Sequence, residues 1–257
     1  VIRLALLGDP VAHSLSPAMQ NAALKELGVP GEYTAIQVAP NRFEFVVEEL
    51  RKQGFIGANV TIPHKERAFR IANWQDEASA QLQVANTLKF GEDIKCINTD
   101  APGFMAALGA CAPGTALVLG AGGAARAAVW ALSREGWTVR VWSRSPEKAN
   151  SICMRDSVSI VESPNVIGCD LIVNATPIGL RPGEVPSANW KRLKRGAIVF
   201  DMAYRDGPTD LLQLAESSGA RIIDGREMLV EQGALSLEWW LEMPVPREPM
   251  RMAIGLN

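Results

Sequence analysis

The stretch Thr115-Ala116-Leu117-Val118-Leu119 runs without a break into Gly120-Ala121-Gly122-Gly123-Ala124-Ala125. Few local patterns restrict a fold as tightly. Five residues of strand type in a row, closed by glycine, predict a buried strand. The glycines predict a tight turn, a helix follows from about Ala124 to Glu135, and Thr138-Val139-Arg140-Val141-Trp142 is the next strand. Strand, glycine turn, helix and strand make a βαβ unit, which belongs to a parallel sheet. The spacing Gly120-x-Gly122-x-x-Ala125 also fits the G-x-G-x-x-G/A dinucleotide fingerprint. In that fingerprint the glycines admit a pyrophosphate and the helix N-terminus attracts its charge. Gly120, Ala121, Gly122, Gly123 and Ala124 are therefore candidate cofactor-binding residues, against the alternative of a tight turn that holds nothing. Beyond the second strand, Trp142-Ser143-Arg144-Ser145 carries no acid to receive the ribose 2′-hydroxyl of NAD. Arg144 suits the 2′-phosphate of NADP instead, unless it is an ordinary surface arginine.

The same alternation extends in both directions. Before the glycines come strands at Ile2–Leu7, Tyr33–Val38 and Phe55–Ala58, with helices opened by Pro17 and marked by Phe43, Val46, Val47 and Leu50. A helix is predicted over Gln75–Leu82, then a hairpin of Val84–Leu88 and Ile94–Ile97 around Gly91-Glu92-Asp93. A further helix runs from Asp100 through Phe104, Met105 and Leu108 to about Ala112 and connects two domains. After the glycines, strands are expected at Leu171–Asn174, Ala197–Asp201 and Arg221–Asp224. Gly225-Arg226-Glu227-Met228 then leads to a helix from Leu229 to Leu241 that packs back on the first domain. The expectation is an α/β chain of two domains. Residues 1–101, completed by 227–257, form a mainly parallel α/β substrate domain, and residues 102–226 form a Rossmann-type NADP domain.

Composition narrows the partners. A net charge of -2 gives no reason to expect nucleic acid or an anionic membrane, and no apolar run approaches a membrane span. Cys96, Cys111, Cys153 and Cys169 form no CxxC pair, and two histidines, His13 and His64, are too few for a histidine-rich metal site. Reduced thiols and the absence of a signal pattern point to the cytoplasm.

Polar residues at strand ends carry the chemistry, because ligands of open α/β sheets bind outside the carboxyl ends of the strands. In Asn59-Val60-Thr61-Ile62-Pro63-His64-Lys65 the strand is expected to stop before Asn59 and a helix to begin after Pro63. Asn59 and Thr61 offer hydrogen bonds to hydroxyls, and Lys65 offers a proton; a capped helix start is the alternative. Asn86 and Asp100 leave the two hairpin strands close together, so Lys65 and Asp100 are the candidate acid–base pair. Ser14 and Ser16 suit a polyol or a carboxylate, although Ser16 alone also fits a helix cap.

In order and spacing, Ser14-Leu15-Ser16-Pro17, Asn59 to Lys65, Ile97-Asn98-Thr99-Asp100 and Gly120 to Ala127 resemble the shikimate dehydrogenase family over essentially the whole chain. The resemblance implies an NADP-dependent alcohol dehydrogenase of aromatic amino acid biosynthesis that reversibly reduces 3-dehydroshikimate to shikimate. It implies that Ser14 and Ser16 hold the substrate carboxylate, that Lys65 and Asp100 meet the reacting hydroxyl, and that Asn59, Thr61 and Asn86 bind the other hydroxyls. Gln232 and Tyr204 enter as further substrate contacts, and Ser143, Arg144 and Lys148 as cofactor contacts, with Arg144 at the family's 2′-phosphate arginine. A small-molecule substrate is the implied partner, with a homodimer left open. The departures are Gln83 for a glycine, Cys96 for a glycine, Ala101 after Asp100, Arg226-Glu227 in the last domain crossing, and Leu241-Glu242 where Thr-Gly is usual. His64 and Trp74 are read as structural. A broader quinate/shikimate dehydrogenase and a non-catalytic NADP or metabolite sensor are the competing expectations.

Overall fold

A computed structural model describes residues 1–150, 152 and 156–256. The chain divides into two compact units, residues 1–103 with 229–257 and residues 104–228.

The first unit is built on strands β1 (Ile2–Gly8), β2 (Gly31–Gln37), β3 (Gly57–Val60), β4 (Trp74–Gln75), β5 (Thr87–Phe90) and β6 (Ile94–Ile97). They form one sheet in the order β2-β1-β3-β5-β6-β4. β1 runs parallel to β2 and β3, whereas β5 runs antiparallel to β3 and to β6. Between these strands lie α1 (Ser16–Glu26), α2 (Phe43–Lys52), α3 (Lys65–Ile71) and α4 (Glu77–Leu82), and α5 (Asp100–Leu108) follows β6. The second unit carries β7 (Thr115–Leu119), β8 (Thr138–Trp142), β9 (Val158–Ile160), β10 (Leu171–Asn174), β11 (Ile198–Asp201) and β12 (Arg221–Asp224), with α6 (Gly123–Arg134), α7 (Pro146–Asn150) and α8 (Asp210–Ser217). Its strands are all parallel, in the order β12-β11-β10-β7-β8-β9. The chain ends with α9 (Gly225–Leu241) and α10 (Arg247–Ala253).

Period-two alternation explains why β1 reads as a continuous apolar run. Leu4 and Leu6 face a cluster with Met19 and Leu24 of α1, Val230 and Leu237 of α9 and Met250 of α10. Ala5 and Leu7 face the opposite cluster with Phe43, Val47 and Leu50 of α2. A strand covered on both faces has no polar side to show. Each leucine buried in this way stabilises the fold by about 1.5–3 kcal/mol before entropy is counted.

Several expectations change. β3 extends through Asn59, so this residue stands inside the strand and not after it. Gln75 belongs to β4, and α4 begins only at Glu77, where the Asp76 carboxylate accepts from the Ser79 amide at 2.9 Å. α5 stops at Leu108 because Gly109 turns left-handed at φ 71°. α9 starts at Gly225, four residues earlier than expected, and α7, α8, β9 and α10 add to the expected elements. His64 is buried, stacked on Phe43 with centroids 4.7 Å apart, and its Nε2 lies 2.7 Å from the Val38 carbonyl. Trp74, expected to be structural, is 48% exposed. Cys96, Cys111 and Cys169 are unpaired, and Cys153 lies outside the described residues. No helix among the described residues is long and apolar enough to cross a membrane.

Candidate active site

Strand directions gather the first set of polar residues. The carboxyl ends of β3 and β6 and the amino end of β5 share one edge of the sheet, because β5 is antiparallel to both neighbours. Thr61 follows β3, Asn86 precedes β5, and Asn98-Thr99-Asp100 follows β6. Lys65 opens α3 just beyond Thr61, and its Nζ donates to Asp100 Oδ2 at 2.6 Å. Both side chains are largely withdrawn from water, at 17% and 7% exposure. The other oxygen, Asp100 Oδ1, accepts from Asn86 Nδ2 at 2.9 Å. Asn86 Nδ2 also lies 3.2 Å from Gln232 Oε1 on α9. Lys65, Asp100, Asn86 and Gln232 are thus joined into one chain of hydrogen bonds. An ammonium held against a carboxylate, with a neutral amide on the far side, can give a proton to an oxygen, and the neutral amine that is left can take one back.

Ser14 and Ser16 lie where β1 gives way to α1. Ser16 is the first helical residue and caps nothing, while Ser14 Oγ accepts the Ser16 amide at 3.2 Å. The ordinary cap reading of Ser16 therefore falls away. Thr61 is half-buried, with its backbone amide bonded to the Leu7 carbonyl at 2.9 Å.

Asn59 has a different occupation from the expected one. Its Nδ2 has the Asn86 carbonyl, Thr87 Oγ1 and Ser236 Oγ within 3.1 Å, and its Oδ1 accepts from the Tyr33 hydroxyl at 2.8 Å. Two amide hydrogens shared among three acceptors leave none over for a ligand. Asn59 is a strut between β2, β3, β5 and α9. The buried hydroxyls Thr87, Thr99 and Ser236 complete this network, with Thr87 Oγ1 and Ser236 Oγ 2.8 Å apart. Sequence reasoning missed Ser236. Its signal was the four-residue spacing from Gln232, which puts both on one face of α9.

The second set stands in the other unit. In the order β12-β11-β10-β7-β8-β9 the chain reverses direction across the sheet at β7 and β10, the switch point where α/β sheets bind ligands. The glycine loop leaves β7 there. Gly120 has φ 117°, and a Cβ on it would lie 2.9 Å from the Ala175 carbonyl oxygen. Gly122 is exposed, a Cβ on it would meet nothing within 4 Å, and α6 begins at the next residue with no side-chain cap and no acid in its first turn. An open glycine beside uncapped helix amides fits a pyrophosphate. Ala121 is buried and Ala124 lies in the first turn of α6. Ser143, Arg144 and Lys148 follow β8; Arg144 and Lys148 are exposed, and Ser143 Oγ accepts the Ser145 amide at 3.2 Å. Tyr204 stands in the loop after β11, half-buried, with its hydroxyl pKa raised by burial. Asn174 and Asp201, which end β10 and β11, are fully buried polar residues that sequence reasoning treated only as strand ends. Polar types closing an apolar strand were the signal.

A lysine–carboxylate pair among polar groups in one unit and a dinucleotide-type loop in the other define an oxidoreductase that acts on a CH–OH group. Residues 6–88 match the family described as shikimate dehydrogenase substrate binding domain, and residues 225–254 match the shikimate 5'-dehydrogenase C-terminal domain. A shikimate dehydrogenase (NADP(+)) of Anaeromyxobacter sp. (strain K) is 38% identical over 97% of this chain and 94% of its own. The crystal structure of shikimate 5-dehydrogenase from Thermus thermophilus in complex with NADP(H) and shikimate is 36% identical, with a TM-score of 0.93 over 99% of each chain. The ligand-free 5-ketofructose reductase of Gluconobacter sp. strain CHM43 is 26% identical, with a TM-score of 0.90 over 99% of this chain and 98% of its own. The chain belongs to the shikimate dehydrogenase family.

Proposed function

We propose that this protein interconverts 3-dehydroshikimate and shikimate with NADPH as reductant, in the supply of aromatic amino acids. The observation that carries the reading is the Lys65–Asp100 pair at 2.6 Å, bonded onward to Asn86 and Gln232. Reduction of a ketone needs a hydride at carbon and a proton at oxygen. NADPH supplies the hydride when bound; the chain supplies the rest. The Lys65 ammonium gives its proton to the oxygen as negative charge develops there. In the reverse direction the neutral amine takes that proton back. Asp100 keeps the ammonium aimed at one point, and Asn86 keeps Asp100 aimed.

Substrate roles follow from where each side chain lies and from the family pattern it matches. Ser14 and Ser16 hydroxyls receive the carboxylate, and Thr61, Asn86 and Gln232 take ring hydroxyls. Asn59 supports that surface from behind. Tyr204 is a further substrate contact. Gly120 to Ala124 receive the pyrophosphate, and Ser143, Arg144 and Lys148 receive the adenosine 2′-phosphate. On this division residues 1–101 with 227–257 serve the substrate and residues 102–226 serve NADP. The same reading assigns the protein to the cytoplasm and admits a homodimer.

The Lys65→Ala variant tests the proton-transfer step. Its kcat should fall by ~10²- to 10⁴-fold, the usual span for a lost general acid or base, while KM for shikimate changes far less. A variant that melts like the unsubstituted protein, keeps its kcat and loses only affinity would reduce Lys65 to a binding residue.

A further inference from the structure

Asp201 ends β11 with no exposure to solvent, and no ion pair reaches it among the described residues. Its carboxylate is held by neutral donors alone. Oδ1 accepts from Asn174 Nδ2 at 2.7 Å and from the Ala203 amide at 3.1 Å, and Oδ2 accepts from Thr209 Oγ1 at 2.6 Å. Burial pushes its pKa up to about 6. The charged groups around it do not relieve this. Asp224, its register partner on β12, raises the pKa further and is itself paired with Arg226 at 2.8 Å. Arg205 is paired with Asp210 at 2.9 Å, and Glu184 accepts the Gly179 amide at 3.2 Å. A fold that keeps an unpaired carboxylate in its interior gives up stability to do so.

What that carboxylate holds lies on the crevice. Asn174 uses every polar position of its amide. Nδ2 donates to Asp201 and to the Ile178 carbonyl at 2.8 Å, and Oδ1 accepts from the Thr176 amide at 3.1 Å and hydroxyl at 2.6 Å. The turn from residue 174 to residue 179 is thus folded around one side chain, and Asp201 anchors that side chain. The same turn presents the Ala175 carbonyl to Gly120, at the place where a Cβ would stand. Just past the end of β11, the Asp201 bond to the Ala203 amide fixes the backbone before Tyr204.

We propose that Asp201 is a positioning residue of the nucleotide site: through Asn174 it holds the 174–179 turn as the wall of the switch-point crevice that faces the glycine loop. The proposal rests on the nucleotide role given to that loop above. β8 and β10 flank β7 on opposite sides. Asp201 therefore acts on the part of a dinucleotide that lies across the crevice from Arg144, and not on the adenosine 2′-phosphate end.

Two probes separate these ends in a calorimetric titration of the full chain: NADP⁺ and adenosine 2′,5′-bisphosphate. With Asp201→Ala, NADP⁺ binding should weaken roughly tenfold or more, while the bisphosphate stays within about twofold. Asp201→Asn keeps the acceptor for Asn174, and Thr209 can rotate to accept from it, so it should recover most of the loss. Asn174→Ala cuts the link outside β11 and should repeat the Asp201→Ala pattern, which carries the test if that variant does not fold. Equal weakening of both probes would mean general loosening of the unit, and unchanged NADP⁺ binding would mean the turn needs no anchor; either overturns the proposal. If the unsubstituted protein binds neither probe, the nucleotide reading itself fails, and that failure is visible before any variant is made.

Discussion

On the function proposed above, cofactor choice rests on a single side chain, Arg144. It is exposed beyond β8, at the point where an acid would otherwise receive the ribose of NAD. A guanidinium grips a phosphate through paired, charge-assisted bonds worth roughly 1.5–3 kcal/mol each, and exposure puts the value toward the low end. The Arg144→Ala variant should lose about ten- to hundredfold in kcat/KM with NADP and almost nothing with NAD, which has no 2′-phosphate. An unchanged ratio of the two cofactors would show that Arg144 points elsewhere. Asp201 gives a residue-scale prediction of another kind. Its pKa is about 6 in the folded chain against an ordinary 3.8, so the folded state holds the proton more tightly. Stability contributed by the neutral form is therefore lost as pH rises from about 4 to about 6, by up to about 3 kcal/mol for a shift of this size. Asn does not titrate. The melting temperature of Asp201→Asn minus that of the unsubstituted protein should rise across that window and level off above it. A flat difference would mean that the buried carboxylate is not strained.

At the scale of elements, two helix ends show how the chain departs from its family. Gln83 follows α4 at φ 55°, and Glu242 follows α9 at φ 56°. Both stand where the resemblance expects glycine, and left-handed backbone is where glycine has the advantage. Gln83→Gly should relieve strain of about 1–2 kcal/mol and lose some of that to the freer unfolded chain, for a net gain of about 1 kcal/mol. That corresponds to roughly 2–4 °C in Tm. Glu242→Gly should gain less, because the Glu242 carboxylate accepts from Lys89 of β5 at 2.8 Å. If Gln83→Gly melts lower, the side chain makes a contribution that its position in the fold does not reveal. The strands β1, β7, β10 and β11 were legible because their apolar runs are unbroken and their ends carry glycine or polar residues. β9 and α7 were not, since short elements hold too few residues for periodicity to speak. Asn59 was misplaced for a related reason: a polar residue in a buried strand looks like the end of that strand, until its partners on β2, β5 and α9 are known.

For the whole molecule, two features were open to sequence reasoning in different degrees. The α/β class followed from one βαβ unit and from the strands repeated on either side of it. The way distant segments complete one site was legible only in part: the hairpin brought Asn86 near Asp100, whereas periodicity carries no information on which of the other strands pair. Lys65 meets Asp100 across 35 positions of sequence, and Asn86 meets Gln232 across 146. Local order of motifs could name those residues, whereas the sheet order β2-β1-β3-β5-β6-β4 and the packing of α9 bring them together. Fold alone also leaves the substrate open, since a 5-ketofructose reductase of Gluconobacter sp. strain CHM43 shares it at a TM-score of 0.90. Steady-state oxidation of shikimate and of quinate, each with NADP and with NAD, tests the central claim most directly. The pair shikimate and NADP should give the highest kcat/KM, ahead of each alternative by about tenfold or more. Folded protein that leaves shikimate unoxidised in the presence of NADP, or that prefers quinate, would contradict the account.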